Sequence, residues 1–263
     1  MNSKGTRGPA ISDWETAEIA RSAREASGTD TATLQIRDIQ RYENPPQSTI
    51  YPLEYSCYLL GDIRGKVAVD FGCGSGENAV LLAMRGARVT ALDISPELME
   101  LARRRFEVMH VPTDNVQFRV CSAYDTTLPD GSVDVVFGIG ILHHLDLNLA
   151  QKEVYRILRT GGIAIFQEPV RDSKFLRLVR QLIPYRSPDV SPFERPLTSE
   201  ELHSFAAPFT LVAKRSFWLP HVPLVGSFFP RLTKAAYEWD GRILSALPFL
   251  NRYAGIRVIK LRK

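Results

Sequence analysis

The sequence predicts an α/β fold: seven strands in a mostly parallel sheet with helices on both faces, an N-terminal helical extension and a C-terminal lobe. Three observations predict it. Between Lys66 and Pro169, short apolar strands alternate five times with helical or turn segments. The strands are apolar at consecutive positions, as strands covered on both faces are. A glycine-rich turn closes the first strand, where the chain must swing sharply into a helix.

In chain order, residues 1–12 read as a flexible tail. A modest helix follows from Asp13, its possible N-cap, with apolar residues at Trp14, Ala17, Ile19, Ala20 and Ala23. The Pro45-Pro46 turn precedes a helix over 52–60. Strands are expected at 67–72, 87–93, 116–123, 132–140 and 162–169. Helices are expected at 77–85, 95–109 and 147–159. The second of these has a Ser95 cap and Pro96 at the first helical position. After Pro169 the alternation stops. A basic helix covers 174–183, Thr198 opens a capping-box helix, and 209–219 and 253–263 read as two late strands. Between these strands lies an apolar insert carrying Pro220, Pro223, Pro230 and Pro248. The chain thus divides into 1–30 (tail and helix), 31–65 (a helical segment), 66–169 (core) and 170–263 (a C-terminal lobe with the last two strands).

With 263 residues, 44% hydrophobic and 24% charged, the chain has an ordinary globular balance, which excludes collagen, coiled-coil and globally disordered classes. Cys57, Cys73 and Cys121 lie far apart without a C-x-x-C pair, so neither a disulfide scaffold nor a zinc or other metal site is expected, and a reducing, cytoplasmic setting fits. No transmembrane helix and no secretory leader are expected. Charge is uneven: net −5 over 1–168 and +9 over 169–263. A basic surface of this kind can face an anionic substrate, a membrane or nucleic acid.

The sharpest motif is VAVDFGCGSGENA (67–79). Asp70 ends a strand, and Gly72, Gly74 and Gly76 let the backbone turn tightly and approach a ligand closely. Asp93 ends the second strand, where a carboxylate can bind both hydroxyls of a ribose. A dinucleotide site needs G-x-G-x-x-G, whereas this chain has G-x-G-x-G and then Glu77, which repels a pyrophosphate at the helix start. Asp70 and Glu77 together favour a nucleoside that carries a positive group and no phosphate.

Residues 66–168 resemble the core of class I S-adenosylmethionine-dependent methyltransferases of the small-molecule (UbiE, type 11) group. The resemblance rests on Asp70-x-Gly72-x-Gly74-x-Gly76, on Asp93-Ile94, on LPDGSVDVVFGIGILHHL (128–145) and on RTGGIAIFQEP (159–169). It covers about 100 residues in the family's order and implies a Rossmann-like sheet with S-adenosyl-L-methionine as cofactor. It also implies that 31–65 covers the cofactor and that the lobe over 170–263 takes the substrate. It further implies that Asp93 binds the ribose, that Ile94 packs on the adenine, and that Gly138 meets the methionine end. Where the family often has Gly-Asp-Ala, its Asp on the adenine amine, this chain has Cys121-Ser122-Ala123, so Ser122 and Ala123 are expected at the adenine without that charge.

Methyl transfer from a sulfonium expels a neutral thioether, so positioning carries most of the rate and a base is needed only for a protonated nucleophile. His144, His143 and Glu168 lie at the carboxyl ends of the fourth and fifth strands and are the candidate proton acceptors. Tyr51 is a candidate substrate-side residue in the covering segment. The acceptor is expected to be a small molecule, apolar or anionic: a lipid, quinone, polyketide or terpenoid. Segment 174–183, a basic amphipathic helix, and segment 217–230, apolar, aromatic and broken by prolines, are candidates for peripheral membrane contact. Alternatives are RNA or protein methylation, a nicotinamide oxidoreductase, or a non-catalytic binding module. The fourth strand ends GIGILHH and lacks the Pro-Pro-Tyr type of turn that grips a flipped base, which weighs against nucleic acid.

Overall fold

The computed structural model describes residues 11–29, 39–172 and 195–263. Seven strands form one sheet in the order β3-β2-β1-β4-β5-β7-β6. They are β1 (Val67–Phe71), β2 (Arg88–Asp93), β3 (Val116–Val120), β4 (Val133–Ile139), β5 (Leu158–Pro169), β6 (Thr210–Phe217) and β7 (Ile256–Arg262). β1 to β5 pair in parallel, and β7 runs antiparallel to both β5 and β6. The expected Rossmann-like, mostly parallel sheet of seven strands is therefore observed. The chain moves outward through β2 and β3, then returns to place β4 on the other side of β1. This reversal opens a crevice at the carboxyl ends of β1 and β4.

Eight α-helices are described: α1 (Ile11–Gly28), α2 (Pro52–Leu60), α3 (Glu77–Met84), α4 (Pro96–Val108), α5 (Leu147–Ile157), α6 (Ser199–Ala206), α7 (His221–Phe228) and α8 (Thr233–Ala246). Local chemistry sets their starts. The Ser95 side chain accepts the Leu98 amide, Asp146 accepts those of Asn148 and Leu149, and Thr198 and Glu201 close a reciprocal capping box.

The alternation of each strand divides the core in two. In β1, Val69 and Phe71 face α5 and α6, packing with Val154, Ile157, Phe166 and Phe205. Ala68 faces the other way, among Cys57, Leu60, Val80, Leu82 and Phe106 of α2, α3 and α4. Asp70 shares that second face and is completely buried.

Three differences from the sequence reading have local causes. The first helix begins at Ile11, before Asp13. β5 begins at Leu158, directly after α5 and ahead of the Gly161-Gly162 pair, and Gly161 holds a φ of +79°. The proline-broken insert folds as α7 and α8, joined by a 3₁₀ turn at Pro230–Leu232 and followed by another at Pro248–Tyr253. Its prolines fall at helix starts and first turns, where the missing N–H is no loss. The basic segment 174–183 and residues 186–194 lie outside the described residues.

Candidate functional site

A cavity of about 430 Å³ opens along the carboxyl ends of β3, β2, β1 and β4. Gly72 to Ser75 come from the β1 turn, Asp93 and Ile94 from β2, Cys121 to Tyr124 from β3, and Gly140, Ile141, His143 and His144 from β4. The motifs far apart in sequence therefore line one continuous trough.

The glycine turn is held from both sides. Gly72, Gly74 and Gly76 all have positive φ. A Cβ on Gly72 would lie 2.4 Å from the Ile141 side chain, so only glycine fits between these two loops. The Gly74 amide donates to Asp93 Oδ2 at 2.9 Å, and the Ser95 amide donates to Oδ1 at 3.0 Å. From α4, Arg105 donates to both the Ser75 carbonyl and its hydroxyl. Burial raises the Asp93 carboxyl above its ordinary value, against these amide bonds.

Asp70 sits beneath the turn. Neither of its carboxylate oxygens meets a partner of full hydrogen-bond geometry, and the Ala79 amide bears on it only in part. Burial, more than the nearby carboxylates, pushes its pKa up to about 8. A buried acid so poorly partnered is costly unless something cationic arrives to complement it.

At the other end, Glu168 on β5 is 1% exposed. Its Oε1 accepts the amides of Ile141 and Leu142, and its Oε2 lies 2.8 Å from His143 Nδ1. A carboxylate only accepts, so the His143 Nδ1–H donates to Glu168, which fixes the ring's orientation. The His144 ring lies beside it, tilted by 41°, with ring centroids 4.0 Å apart.

The roof is α1. Trp14, Glu15, Glu18, Arg21, Ser22 and Glu25 line the cavity, and α1 packs on α4. The Ser122 hydroxyl donates to Glu15 Oε1 at 2.6 Å. Glu18 Oε2 lies 3.3 Å from His144 Nδ1. Burial alone would raise Glu18, but His144 and Arg21 outweigh it and hold the carboxyl at about 2.

A model described as a methyltransferase domain matches residues 69–166. A malonyl-[acyl-carrier protein] O-methyltransferase from Serratia marcescens is 33% identical over 103 residues, 39% of this chain but only 38% of that protein. A ubiquinone biosynthesis O-methyltransferase from Alkalilimnicola ehrlichii is 31% identical over 192 residues, covering 69% of this chain and 76% of that protein. The chain belongs to the class I S-adenosylmethionine-dependent methyltransferases. Its cofactor is S-adenosylmethionine. Among solved structures, geranyl diphosphate C-methyltransferase from Streptomyces coelicolor A3(2) shares the fold, with a TM-score of 0.61 at 19% identity over 97% of this chain and 99% of that one.

The methyltransferase core places the expected residues unequally. Gly72, Gly74, Asp93, Ile94, Ser122, Ala123, His143 and His144 line the cavity. Asp70, Gly76, Gly138 and Glu168 stand behind its wall. A Cβ on Gly76 would lie 2.7 Å from that of Ala102, and one on Gly138 would lie 2.6 Å from the Phe166 ring, so both glycines serve close packing. Glu168 was expected to face the cleft. Its bonds to the β4 loop turn it inward, and it acts on His143 instead. Tyr51 was expected near the substrate. It lies outside the cavity wall, edge-on to Tyr237 at 5.2 Å and beneath the Arg41 guanidinium at 4.5 Å. From the described part of 31–65, only Leu53 reaches the cavity, and the covering role falls to α1. The sequence reading did not find Glu15 and Glu18. Their signal was the 3-4-3 spacing of Glu15, Glu18, Ser22 and Glu25, which puts four polar residues on one helical face.

Asp70 gives the methyltransferase a distinctive pH dependence. From its ordinary value of 3.8 up to about 8, the folded chain keeps a proton that the unfolded chain has lost. Stability therefore falls as pH rises through that window and levels off above it. Asp70→Asn lacks the group, so the melting-temperature gap, variant minus parent, should widen from about pH 4 to pH 8 and then stay flat. Thermal melts across that range check this, and a gap that does not move with pH overturns it.

Proposed function

We propose that this chain transfers the methyl group of S-adenosylmethionine to a small-molecule acceptor, apolar or anionic, of lipid, quinone, polyketide or terpenoid type. The observation that carries the reading is one trough with a poorly partnered buried acid at the glycine turn and a carboxylate-held histidine at the β4 end. The ubiquinone-biosynthesis relative supports an acceptor of the quinone kind.

S-adenosylmethionine, when bound, supplies a methyl on a sulfonium whose departure leaves a neutral thioether. The residues of this chain do the rest. Asp70, ionised, complements the positive charge of the methionine end through the turn above it. Asp93 keeps lone pairs for the ribose hydroxyls while it holds Gly74. Ile94 and Ala123 give the adenine apolar surface. His143 Nε2 takes the proton of a hydroxyl, phenol or acidic carbon as it attacks, and Glu168 fixes the tautomer and orientation that this requires. Glu168 is thus a positioning residue, and His144 a neighbour held by the roof.

Contact with an anionic bilayer is part of this proposal. Leu224, Phe228, Phe229, Leu232, Trp239, Leu247 and Phe249 are all exposed on α7, α8 and their flanking turns. Arg231, Lys234, Arg242 and Arg252 are exposed among them. Aromatic and basic residues together suit a headgroup boundary. No helix among the described residues is long and apolar enough to cross a membrane.

Three measurements test the reading. In calorimetric titration, S-adenosylhomocysteine should bind, NADH should not, and Asp93→Ala should weaken binding about tenfold or more. At pH 7 the titration should also release nearly one proton in the parent and none in Asp70→Asn, seen by changing the buffer. Binding of NADH alone, or of neither, overturns the cofactor assignment. In a screen of isoprenoid quinols, prenyl diphosphates, fatty acyl groups and phenolic polyketides with methyl-labelled cofactor, His143→Gln should lower kcat about 10²-fold. Unchanged kcat removes His143 as base. In flotation, the protein should travel with phosphatidylcholine vesicles containing phosphatidylglycerol, and Phe228→Ser/Phe229→Ser should remain behind. Equal flotation of both proteins, or of neither, overturns the contact.

A further inference from the structure

We infer that Glu15, reaching in from the roof helix α1, reads the adenine amine of the cofactor, with Ser122 as the residue that holds it in place. The inference rests on the cofactor reading above and extends it to a residue outside the sheet.

Topology sets the orientation. The strand order β3-β2-β1-β4 lays the trough across four strand ends. The poorly partnered acid lies under β1 and the histidines follow β4, so the charged, reacting end of the ligand belongs there. Asp93 on β2 then meets the ribose, and the base falls beyond it, at the end of β3. There the wall is Ile94, Leu98, Cys121 and Ala123, an apolar slot suited to a flat ring.

The polar groups at that end are few. The Ser122 hydroxyl has one proton, and it is committed to Glu15 Oε1 at 2.6 Å. The Tyr124 amide in turn donates to Ser122 Oγ at 3.1 Å, which fixes the hydroxyl from behind. The Tyr124 hydroxyl accepts the Asp146 amide, which ties it to the next loop. What remains toward the slot is the half-buried carboxylate of Glu15, with its second oxygen and spare lone pairs. A carboxylate accepts and does not donate. The adenine edge offers one strong donor, its exocyclic amine. A serine alone, with its proton pointed elsewhere, would have left that amine a weak neutral acceptor. Glu15 makes the bond charge-assisted, which is worth roughly twice a neutral one. The strand end thus lacks a carboxylate of its own, and the roof helix brings one.

The inference separates from a merely structural role of Glu15 by using a ligand without the amine. S-inosyl-L-homocysteine carries a carbonyl oxygen at that position and a proton on the neighbouring ring nitrogen N1, and otherwise keeps the ribose and homocysteine unchanged. The parent should prefer S-adenosylhomocysteine over it. Glu15→Ala should weaken S-adenosylhomocysteine about tenfold or more and leave S-inosylhomocysteine within about twofold, so the preference collapses. Glu15→Ala/Ser122→Asp, which returns a carboxylate to the strand end, should restore the preference. The two ligands are titrated into the same folded variant, so a general loss of structure shows as equal weakening of both. Equal weakening of both, no weakening of either, or a preference that survives in Glu15→Ala overturns the inference while leaving the cofactor reading intact. A parent that binds neither nucleoside overturns both.

Discussion

Asp93 accepts the amides of Gly74 and Ser95, and the candidate site depends on that pair of bonds. They pin the glycine turn of β1 to the end of β2, the two strands whose ends must stay in register for a nucleoside to span them. Glu168 repeats the device one reversal away, accepting two amides from the β4 loop and orienting His143. Each carboxylate converts a loop, the most mobile kind of chain, into part of the rigid sheet. The glycine turn and the His143 ring are then held as firmly as the strands, although turns carry them.

Electrostatics complete the arrangement. Asp70, Asp93, Glu15, Glu18 and Glu25 lie in or directly behind one cavity, with Arg21 and the two histidines opposing them. Such a cavity is poorly matched to a phosphate and well matched to a cation. The folded chain carries the strain of this in Asp70, whose carboxyl is driven to about 8 by burial. A positive ligand relieves that strain, so binding and the ionisation of Asp70 are linked. Preorganisation here is therefore costly to the empty protein and favourable to the loaded one.

Much of this was legible in the sequence, and the exceptions share a cause. The strands, the glycine turn, Asp93 and the histidine pair were readable because local sequence dictates them: continuous apolar runs, a turn that only glycine makes, a carboxylate at a strand end. The inward turn of Glu168 was not, since its partners at 141–143 lie about 25 residues earlier and meet it only through β4–β5 pairing. The same holds for Tyr51, whose ring is claimed by Tyr237, 186 positions away. Glu15 escaped notice for a different reason. A polar face on a short helix reads as solvated surface until a second element is known to lie beneath it. The seven-stranded order itself needed the late strands: β7 enters between β5 and β6, which no local pattern announces.

The roof bears on access to the site. α1 packs on α4 and reaches across the trough with two polar contacts, Glu15 to Ser122 and Glu18 to His144. A helix that roofs a ligand site frames the opening through which a ligand passes. Polar latches of this kind are weak singly and exchange readily with water. A roof held in this way is coupled to the solvent through the same carboxylates that line the site.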